Sequence, residues 1–446
     1  MADLLALSSR IIDESVTDEA VNRVTNELSE LADDLALVES FSHCAALATE
    51  EGLVCFDVSG ARTGPAVVAA LRGWSTAPVH SIIYTHGHVD HVGGSPAVAA
   101  DAEERGTPVP QVVGHAAVAA RFDRYEATND FNLLINSRQF GGVSRKLQLG
   151  IGGGDRFLPE GCLRPTHTFL VDDEVSIGGE RIELHHARGE TDDHLWAWLP
   201  DRRWLFAGDF LIWNFPNAGN PQKVQRYPLE WAAALRTMAA TRPELLVPSH
   251  GLPIADADRI DRVLTTVADV LERLVADVLD AMNAGASLDE IVHGVDVAPE
   301  ALALPYLRPL YDEPEFVVHN VWRQYGGWWD GDYSHLKPAP AAALASELAA
   351  LAGGVDALRS RAESLADAAT TADELRVACH LVELAVQAAP DDRAVHTTRA
   401  AVYEQRRKAE SSLMAKGLFR AAAAESEVVL GGDGAPTRFG TPGSGV

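Results

Sequence analysis

Residues 85–91 are Thr85-His86-Gly87-His88-Val89-Asp90-His91, a stretch that places three imidazoles and one carboxylate within six consecutive positions. The preceding segment, 79–84, is short and rich in β-branched residues, which predicts a buried strand. Side chains alternate along extended backbone, so His86 and His88 would point to the same side where this strand ends. A chance polar loop is the alternative, but with 16 histidines in 446 residues such clustering is rare. The cluster indicates a metal site at a sheet edge.

Four such side chains in one loop cannot comfortably bind one ion, so we expect two ions, with His86 and His88 on one and Asp90 and His91 on the other. Zinc takes about four ligands, with one position kept open for water at catalytic sites. More ligands must therefore come from distant parts of the chain.

Three later residues follow predicted strands and are candidates for this role: Glu190, Asp209 and His250. Each alone could be an ordinary turn or cap residue. Their shared position at the ends of apolar runs favours a functional role.

The chain before residue 255 alternates between short apolar runs and amphipathic stretches. Runs at 37–41, 44–48 and 53–57 predict an antiparallel meander, and later strands alternate with helices at 64–73 and 95–105. This alternation is typical of a layered α/β fold.

Several irregular segments are also predicted. Residues 9–34 have helical spacing and predict a surface helix or arm. The segment from Tyr125 to Pro165 predicts a long loop, whose glycine run at 150–154 is interpreted as a flexible wall near a pocket rather than a phosphate cradle, because no lysine follows it.

The second half is alanine-rich and helical. Residues 372–389 and 392–408 predict amphipathic helices separated by a proline-containing break. The tail 431–446 is rich in Gly, Pro, Thr and Ser, which predicts disorder.

The composition excludes several classes of protein. The net charge is −27, with 37 basic and 64 acidic side chains, whereas nucleic-acid binding needs clustered Lys and Arg, so no nucleic-acid partner is expected. No apolar run approaches the ~20 residues that span a bilayer. The N-terminus lacks the basic start of a secretory signal, so a cytoplasmic location is expected. The four cysteines have no CxxC spacing and are expected to be buried thiols.

The metal cluster, Gly189-Glu190-Thr191, Ala207-Gly208-Asp209 and Ser249-His250-Gly251 together resemble the metallo-β-lactamase superfamily over about residues 35–255. Most members have histidine where this chain has Glu190, and a glutamate there resembles the alkylsulfatase branch. Residues 319–331 and 335–338 resemble the alkylsulfatase dimerisation domain. The resemblance implies an αββα sandwich followed by an all-α dimerisation domain, and hence a homodimer.

We therefore predict four segments. They are an N-terminal helical arm over 1–34, a metallo-β-lactamase-like catalytic domain over 35–270, a helical dimerisation domain over 271–430 and a disordered tail over 431–446.

The resemblance also implies two zinc ions per chain, with another divalent metal as the alternative. One ion would be bound by His86, His88 and Glu190, and the other by Asp90, His91 and His250.

Asp209 occupies the position of a bridging acid that is usually glutamate in this branch, and it is one methylene shorter. Asp90 and Asp209 are the expected catalytic residues. Asp193 and His194 are alternative or additional ligands.

Two close divalent ions lower the pKa of water and stabilise charge on an ester oxygen. The predicted activity is hydrolysis of a small anionic ester, first an alkyl sulfate. Lys223 and Arg226 are candidates for holding the sulfate, or are surface charges; the branch has an arginine where this chain has Gln222 or Lys223. Asn214 and Tyr125 are candidates for the pocket wall.

Two other hypotheses stay open. The same metals could serve a phosphoester, lactone or thioester hydrolase. A non-catalytic dimeric binding protein with the same fold is the second, and it predicts sub-stoichiometric metal.

Overall fold

The computed structural model describes residues 3–143 and 155–432, which form a two-sheet sandwich followed by helices. The first sheet has seven strands in chain order. They are β1 (Leu28–Ala32), β2 (Leu35–Val38), β3 (Cys44–Thr49), β4 (Gly52–Phe56), β5 (Val79–Ile83), β6 (Gln111–His115) and β7 (His167–Phe169). Strands β1 to β4 are the predicted antiparallel meander, and β4 to β7 pair in parallel. The carboxyl ends of the parallel strands therefore share one edge.

The second sheet has six strands in the order β13-β12-β11-β10-β9-β8. They are β8 (Asp172–Ile177), β9 (Glu180–His186), β10 (Leu195–Leu199), β11 (Trp204–Gly208), β12 (Leu245–Pro248) and β13 (Ile254–Ala255). Only β11 and β12 pair in parallel within this described sheet, so β11 and β12 end at the same edge.

Helices cover both outer faces of the sandwich. The helices of this half are α1 (Leu4–Asp13), α2 (Gly64–Trp74), α3 (Val89–Val92), α4 (Ser95–Arg105), α5 (Ala117–Ala127), α6 (Asn129–Gln139), α7 (Pro228–Ala240) and α8 (Ala257–Asn283). The alternation of side chains along β4 explains the layering. Val54 and Phe56 belong to the core shared with the second sheet, where Phe56 stacks on Phe206 at 3.7 Å, whereas Leu53 and Cys55 pack with α2 and α4. The αββα sandwich is confirmed.

The remaining chain is helical, as predicted. Its helices are α9 (Leu288–Gly294), α10 (Pro299–Leu302), α11 (Pro314–Tyr325), α12 (Tyr333–Leu336), α13 (Ala341–Ala352), α14 (Val355–Ala368), α15 (Leu375–Ala388), α16 (Arg393–Ala409) and α17 (Leu413–Val429). Helices α13 to α17 have cores of their own, whereas α11 buries Val317, Val318 and Val321 in the core of the sandwich. Among the described helices none is by itself long and apolar enough to cross a membrane, and one pair, α13 with α14, meets that test only together and across an 84° bend.

The structure corrects two predictions of local structure. The helix predicted over 9–34 is wrong beyond Asp13, because residues 28–32 pair with β2 as an edge strand. The long loop predicted from Tyr125 to Pro165 is wrong over 129–139, which form α6.

The predicted boundary between the catalytic and dimerisation domains lies within a helix. The boundary predicted at 270–271 falls inside α8, which packs along its length on the sandwich core. The glycine run at 150–154 and the tail beyond residue 432 lie outside the described residues.

Candidate metal centre

The histidine-rich loop leaves β5 at the edge where the parallel strands end. His88 has extended backbone and caps α3, so Asp90 and His91 lie on the first turn of that short helix. Glu190 follows β9, Asp209 follows β11 and His250 follows β12, as the sequence predicts. Loops of both sheets therefore meet at one edge of the sandwich.

The first group of predicted ligands converges between the two sheets. His86 Nε2 lies 2.9 Å from His88 Nδ1, and His88 Nδ1 lies 3.5 Å from Glu190 Oε1. Burial lowers the pKa of both histidines well below the usual value, so their nitrogens are available as neutral ligands. Burial also raises the pKa of Glu190 to about 7, although the charge of Arg226 opposes this shift.

The second group of predicted ligands lies beside the first. Asp90 Oδ2 is 3.6 Å from His91 Nε2 and 3.5 Å from His250 Nε2. Burial disfavours the charged form of His91, but Asp209, Asp90 and Asp57 outweigh it and raise the pKa of His91 well above the usual value.

Asp209 lies between the two groups. Its Oδ2 atom is 3.9 Å from His86 Nε2, 3.4 Å from His91 Nε2 and 3.6 Å from His250 Nε2. The shorter aspartate thus reaches both groups. Gly208 makes this approach possible, because it has φ +56° and a Cβ there would lie 2.7 Å from His194 Nε2 and 2.9 Å from Thr85 Cβ.

The donor set fits divalent metal ions. Within the described residues, two trios have ligand atoms within 4.8 Å of one another: His86, His91 and Asp209, and Asp90, His91 and His250. His91 Nε2 and Asp209 Oδ1 are buried without a hydrogen-bond partner. Buried polar atoms are rarely left unsatisfied, and imidazole and carboxylate ligands suit zinc. All seven predicted ligands lie together.

Asp57 is a residue of this centre that the sequence analysis missed. It is fully buried after β4, and Oδ2 accepts hydrogen bonds from Thr85 Oγ1, His91 Nδ1 and Ser249 Oγ at 2.7–2.8 Å. Its other oxygen accepts from Thr85 N at 2.8 Å. A carboxylate on the far nitrogen of a ligand histidine fixes the ring orientation. Its signal was the same as for Asp209: an acid directly after an apolar strand.

Asp193 and His194 have supporting contacts. Asp193 accepts hydrogen bonds from Gly87 N at 3.1 Å and Arg121 Nε at 2.8 Å, which anchors the histidine-rich loop. His194 Nε2 accepts from Asp209 N at 3.2 Å, and its ring stacks on Phe210. That nitrogen is engaged by the backbone of Asp209, whereas His194 Nδ1 is buried without a hydrogen-bond partner.

The predicted sulfate-holding residues lie on the loop after β11. Arg226 is buried, and its Nη1 lies 2.6 Å from Glu190 Oε1. Lys223 Nζ donates to Asn136 Oδ1 at 2.9 Å, and burial, followed by the nearby charge of Arg226, lowers the pKa of Lys223 to about 7. Neither is a solvated surface charge.

The two other predicted pocket residues differ in position. Asn214 lies on the loop after β11 with its Oδ1 buried and without a partner. Tyr125 belongs to the core on the helical side of the first sheet, where its ring contacts Phe157 and Arg121 hydrogen-bonds its hydroxyl. Tyr125 therefore packs beside Arg121 of α5, the residue that pairs with Asp193.

Tyr311 is a second residue that the sequence analysis missed. It precedes α11 in the helical half, and its hydroxyl accepts a hydrogen bond from Gln139. Burial, followed by the negative charges of Glu190 and Asp90, raises the pKa of Tyr311. Burial and the charges of these acids therefore favour the protonated hydroxyl. No local pattern in the sequence marks it.

Comparisons with known proteins agree with this architecture. Residues 37–250 match the metallo-beta-lactamase superfamily, and residues 287–428 match the alkyl sulfatase dimerisation domain. A linear primary-alkylsulfatase of Pseudomonas sp. is 26% identical over 398 residues, which cover 86% of this chain and 74% of that enzyme. An (R)-specific secondary-alkylsulfatase of Pseudomonas sp. is 23% identical over 68% of this chain and 48% of its own length.

A solved structure has the same fold. The stereoselective inverting sec-alkylsulfatase Pisa1 from Pseudomonas sp. matches with a TM-score of 0.77 at 20% identity, over 92% of this chain and 66% of that one. The first of the two matches covers the sandwich and the second covers the helices that follow it. The chain is an alkylsulfatase-like member of the metallo-β-lactamase superfamily that carries an alkyl sulfatase dimerisation domain.

Proposed function

We propose that this protein is a two-zinc hydrolase that cleaves alkyl sulfate esters to alcohol and sulfate. The observation that supports it best is the meeting of seven candidate metal ligands with a partly buried lysine and a buried arginine at one sheet edge. The relatives described above are named alkylsulfatases, which favours this substrate class.

The ligand groups define where the ions would be held. His86, His88 and Glu190 would hold one ion, and Asp90, His91 and His250 the other, with Asp209 shared. Bound divalent ions would supply Lewis-acid stabilisation of charge on an ester oxygen and a lower pKa for water.

The remaining residues bind and orient the substrate. A sulfate monoester is an anion, and Lys223 and Arg226 supply positive charge beside the ligand group of Glu190. Arg226 also pairs with Glu190 and so keeps that carboxylate in position. Tyr311 stays protonated because its pKa is raised, and its hydroxyl can donate a hydrogen bond to a sulfate oxygen.

The direct test is sulfate release from dodecyl sulfate and from a secondary alkyl sulfate by the zinc-loaded protein. We expect release by the wild type and none by His88→Ala, which removes a ligand but leaves the cores untouched. No sulfate release, together with turnover of a lactone or phosphoester, would refute the sulfatase proposal.

We further propose that the protein is a homodimer through a surface that we call the α13 surface: Trp328, Tyr333, Leu336, Leu344, Leu348 and Leu351. These side chains are exposed, and the three leucines of α13 lie at spacings of four and three, on one face of that helix. Exposed apolar side chains on one helix face mark an interaction site. The match to a dimerisation domain favours a second copy as the partner. Light scattering that finds a monomer would contradict this proposal.

A further inference from the structure

The loop after β11, residues 213–226, lies directly on α11 of the helical half. At Gly219 the contact is so close that a Cβ would be 2.2 Å from Phe316 C and from Val317 N. Gly219 N donates to Asp312 Oδ2 at 2.6 Å, and Asp312 is fully buried. Backbone packed this closely has little freedom to move away from α11.

Asn320 holds the end of the same loop. Its Nδ2 donates to Arg226 O at 2.9 Å, and its Oδ1 accepts from Arg226 N at 3.3 Å. Its Oδ1 also accepts from Gln225 Nε2 at 3.0 Å. Asn320 is buried on α11, so the reciprocal pair is shielded from water.

The arginine held in this way reaches the metal centre. Arg226 Nη1 lies 2.6 Å from Glu190 Oε1 and donates to Asn217 O at 2.8 Å. Asn217 Nδ2 donates to the same Glu190 oxygen at 2.6 Å. A continuous chain of contacts therefore runs from α11 through Arg226 to a predicted ligand.

We propose that Asn320 is a positioning residue through which the helical domain orients Glu190 and so sets the affinity of the ion position formed by His86, His88 and Glu190. This inference rests on the two-ion site of the proposed function. Residues that orient a ligand typically change metal affinity by about 10–100-fold when they are lost. Asn320 acts one residue further out, so we expect a loss of about 10-fold for one of the two zinc equivalents.

The test measures zinc binding by competition with a chromophoric chelator, without substrate. Asn320→Ala should weaken one zinc equivalent about 10-fold and leave the other unchanged. Val321→Ala is the matched control, because Val321 is the next residue of α11 and is fully buried in the apolar core. It should lower the melting temperature without changing either zinc affinity. If Asn320→Ala does not fold, Asn320→Leu fills a similar volume without the hydrogen bonds and should give the same loss.

A double-mutant cycle tests whether Asn320 acts through Arg226. Asn320→Ala should have no further effect on zinc affinity in an Arg226→Ala background. Unchanged binding of both equivalents in the Asn320 variants, an equal loss in Val321→Ala, or additive losses in the cycle would each overturn the proposal. Zinc binding is measured without sulfate release. A result against the role of Asn320 therefore leaves the sulfatase proposal intact, and a failure of sulfate release leaves the role of Asn320 intact.

Discussion

Replacement of Asp57 by asparagine should weaken one zinc equivalent while leaving the fold intact. The carboxylate accepts four hydrogen bonds, three of them on Oδ2. The amide introduced by Asp57→Asn would keep most of these bonds by placing its oxygen where Oδ2 lies and its nitrogen opposite Thr85 N. One buried donor then loses its partner, which costs about 1–3 kcal/mol.

The effect on metal binding follows from His91. In the wild type a charged carboxylate accepts from His91 Nδ1 at 2.8 Å, which holds Nε2 toward Asp90 and Asp209. A neutral amide holds the ring less firmly and makes it less basic, so affinity should fall about 10–100-fold. This corresponds to about 1.4–2.7 kcal/mol. The loss should fall on the ion position of Asp90, His91 and His250.

Chelator competition measures both zinc equivalents, and thermal unfolding checks the fold. Ser249→Ala is the matched control, since it removes one donor to the same oxygen at 2.8 Å but leaves the charge in place. It should change zinc affinity less than about threefold. Wild-type affinity for both equivalents in Asp57→Asn, or an equal loss in Ser249→Ala, would refute the role given to Asp57.

Three further results are expected. Because burial lowers the pKa of Lys223 to about 7, its positive charge is lost as the pH rises through that value. The KM for an alkyl sulfate should therefore rise over this range in the wild type and stay level in Lys223→Arg. A wild-type KM that does not change with pH would contradict this prediction. Asp209 Oδ2 lies within 3.9 Å of three histidine nitrogens, and Asp209→Asn keeps the side-chain shape but removes the charge. Metal analysis of the dialysed variant should find about one zinc equivalent fewer than in the wild type. Retention of all the zinc would contradict the role of Asp209 as a ligand shared by both ions. Leu351→Asp places a charge on the α13 surface and should give a monomer by light scattering, whereas Leu351→Ala should remain a dimer; a dimer in both would exclude this surface.

The sequence predicted which candidate ligands lie together because each has a local signal. His86, Asp209 and His250 all follow short apolar runs, and strand ends of a sandwich meet at one edge, so order along the chain was sufficient. Asp57 has the same signal after β4 but precedes the histidine cluster in the chain, whereas the other distant candidates follow it. A rule that treats every acid after an apolar strand as a candidate would have found it.

Other features depend on tertiary contacts that no local pattern records. Residues 28–32 contain alanine, leucine and glutamate, which favour helix, yet they form an edge strand because β2 offers a partner. Tyr311 contacts a side chain 172 positions earlier in the chain, and Asn320 contacts a loop 94 positions earlier. Their roles follow from the way α11 packs on the sandwich, and that packing depends on side chains of both halves.

The two proposed ion positions would be held by different parts of the protein, and this difference can be measured. Asp57 holds His91 from within the sandwich, whereas Asn320 reaches Glu190 from the helical half through Arg226. The contacts that end at His91 and those that end at Glu190 have no residue in common. Asp57→Asn and Asn320→Ala should therefore weaken different zinc equivalents, and the double variant should show both losses at full size. If the double variant shows only one of the two losses, the two ion positions are coupled. Asp209, which lies between the two ligand groups, would then be the residue that couples them.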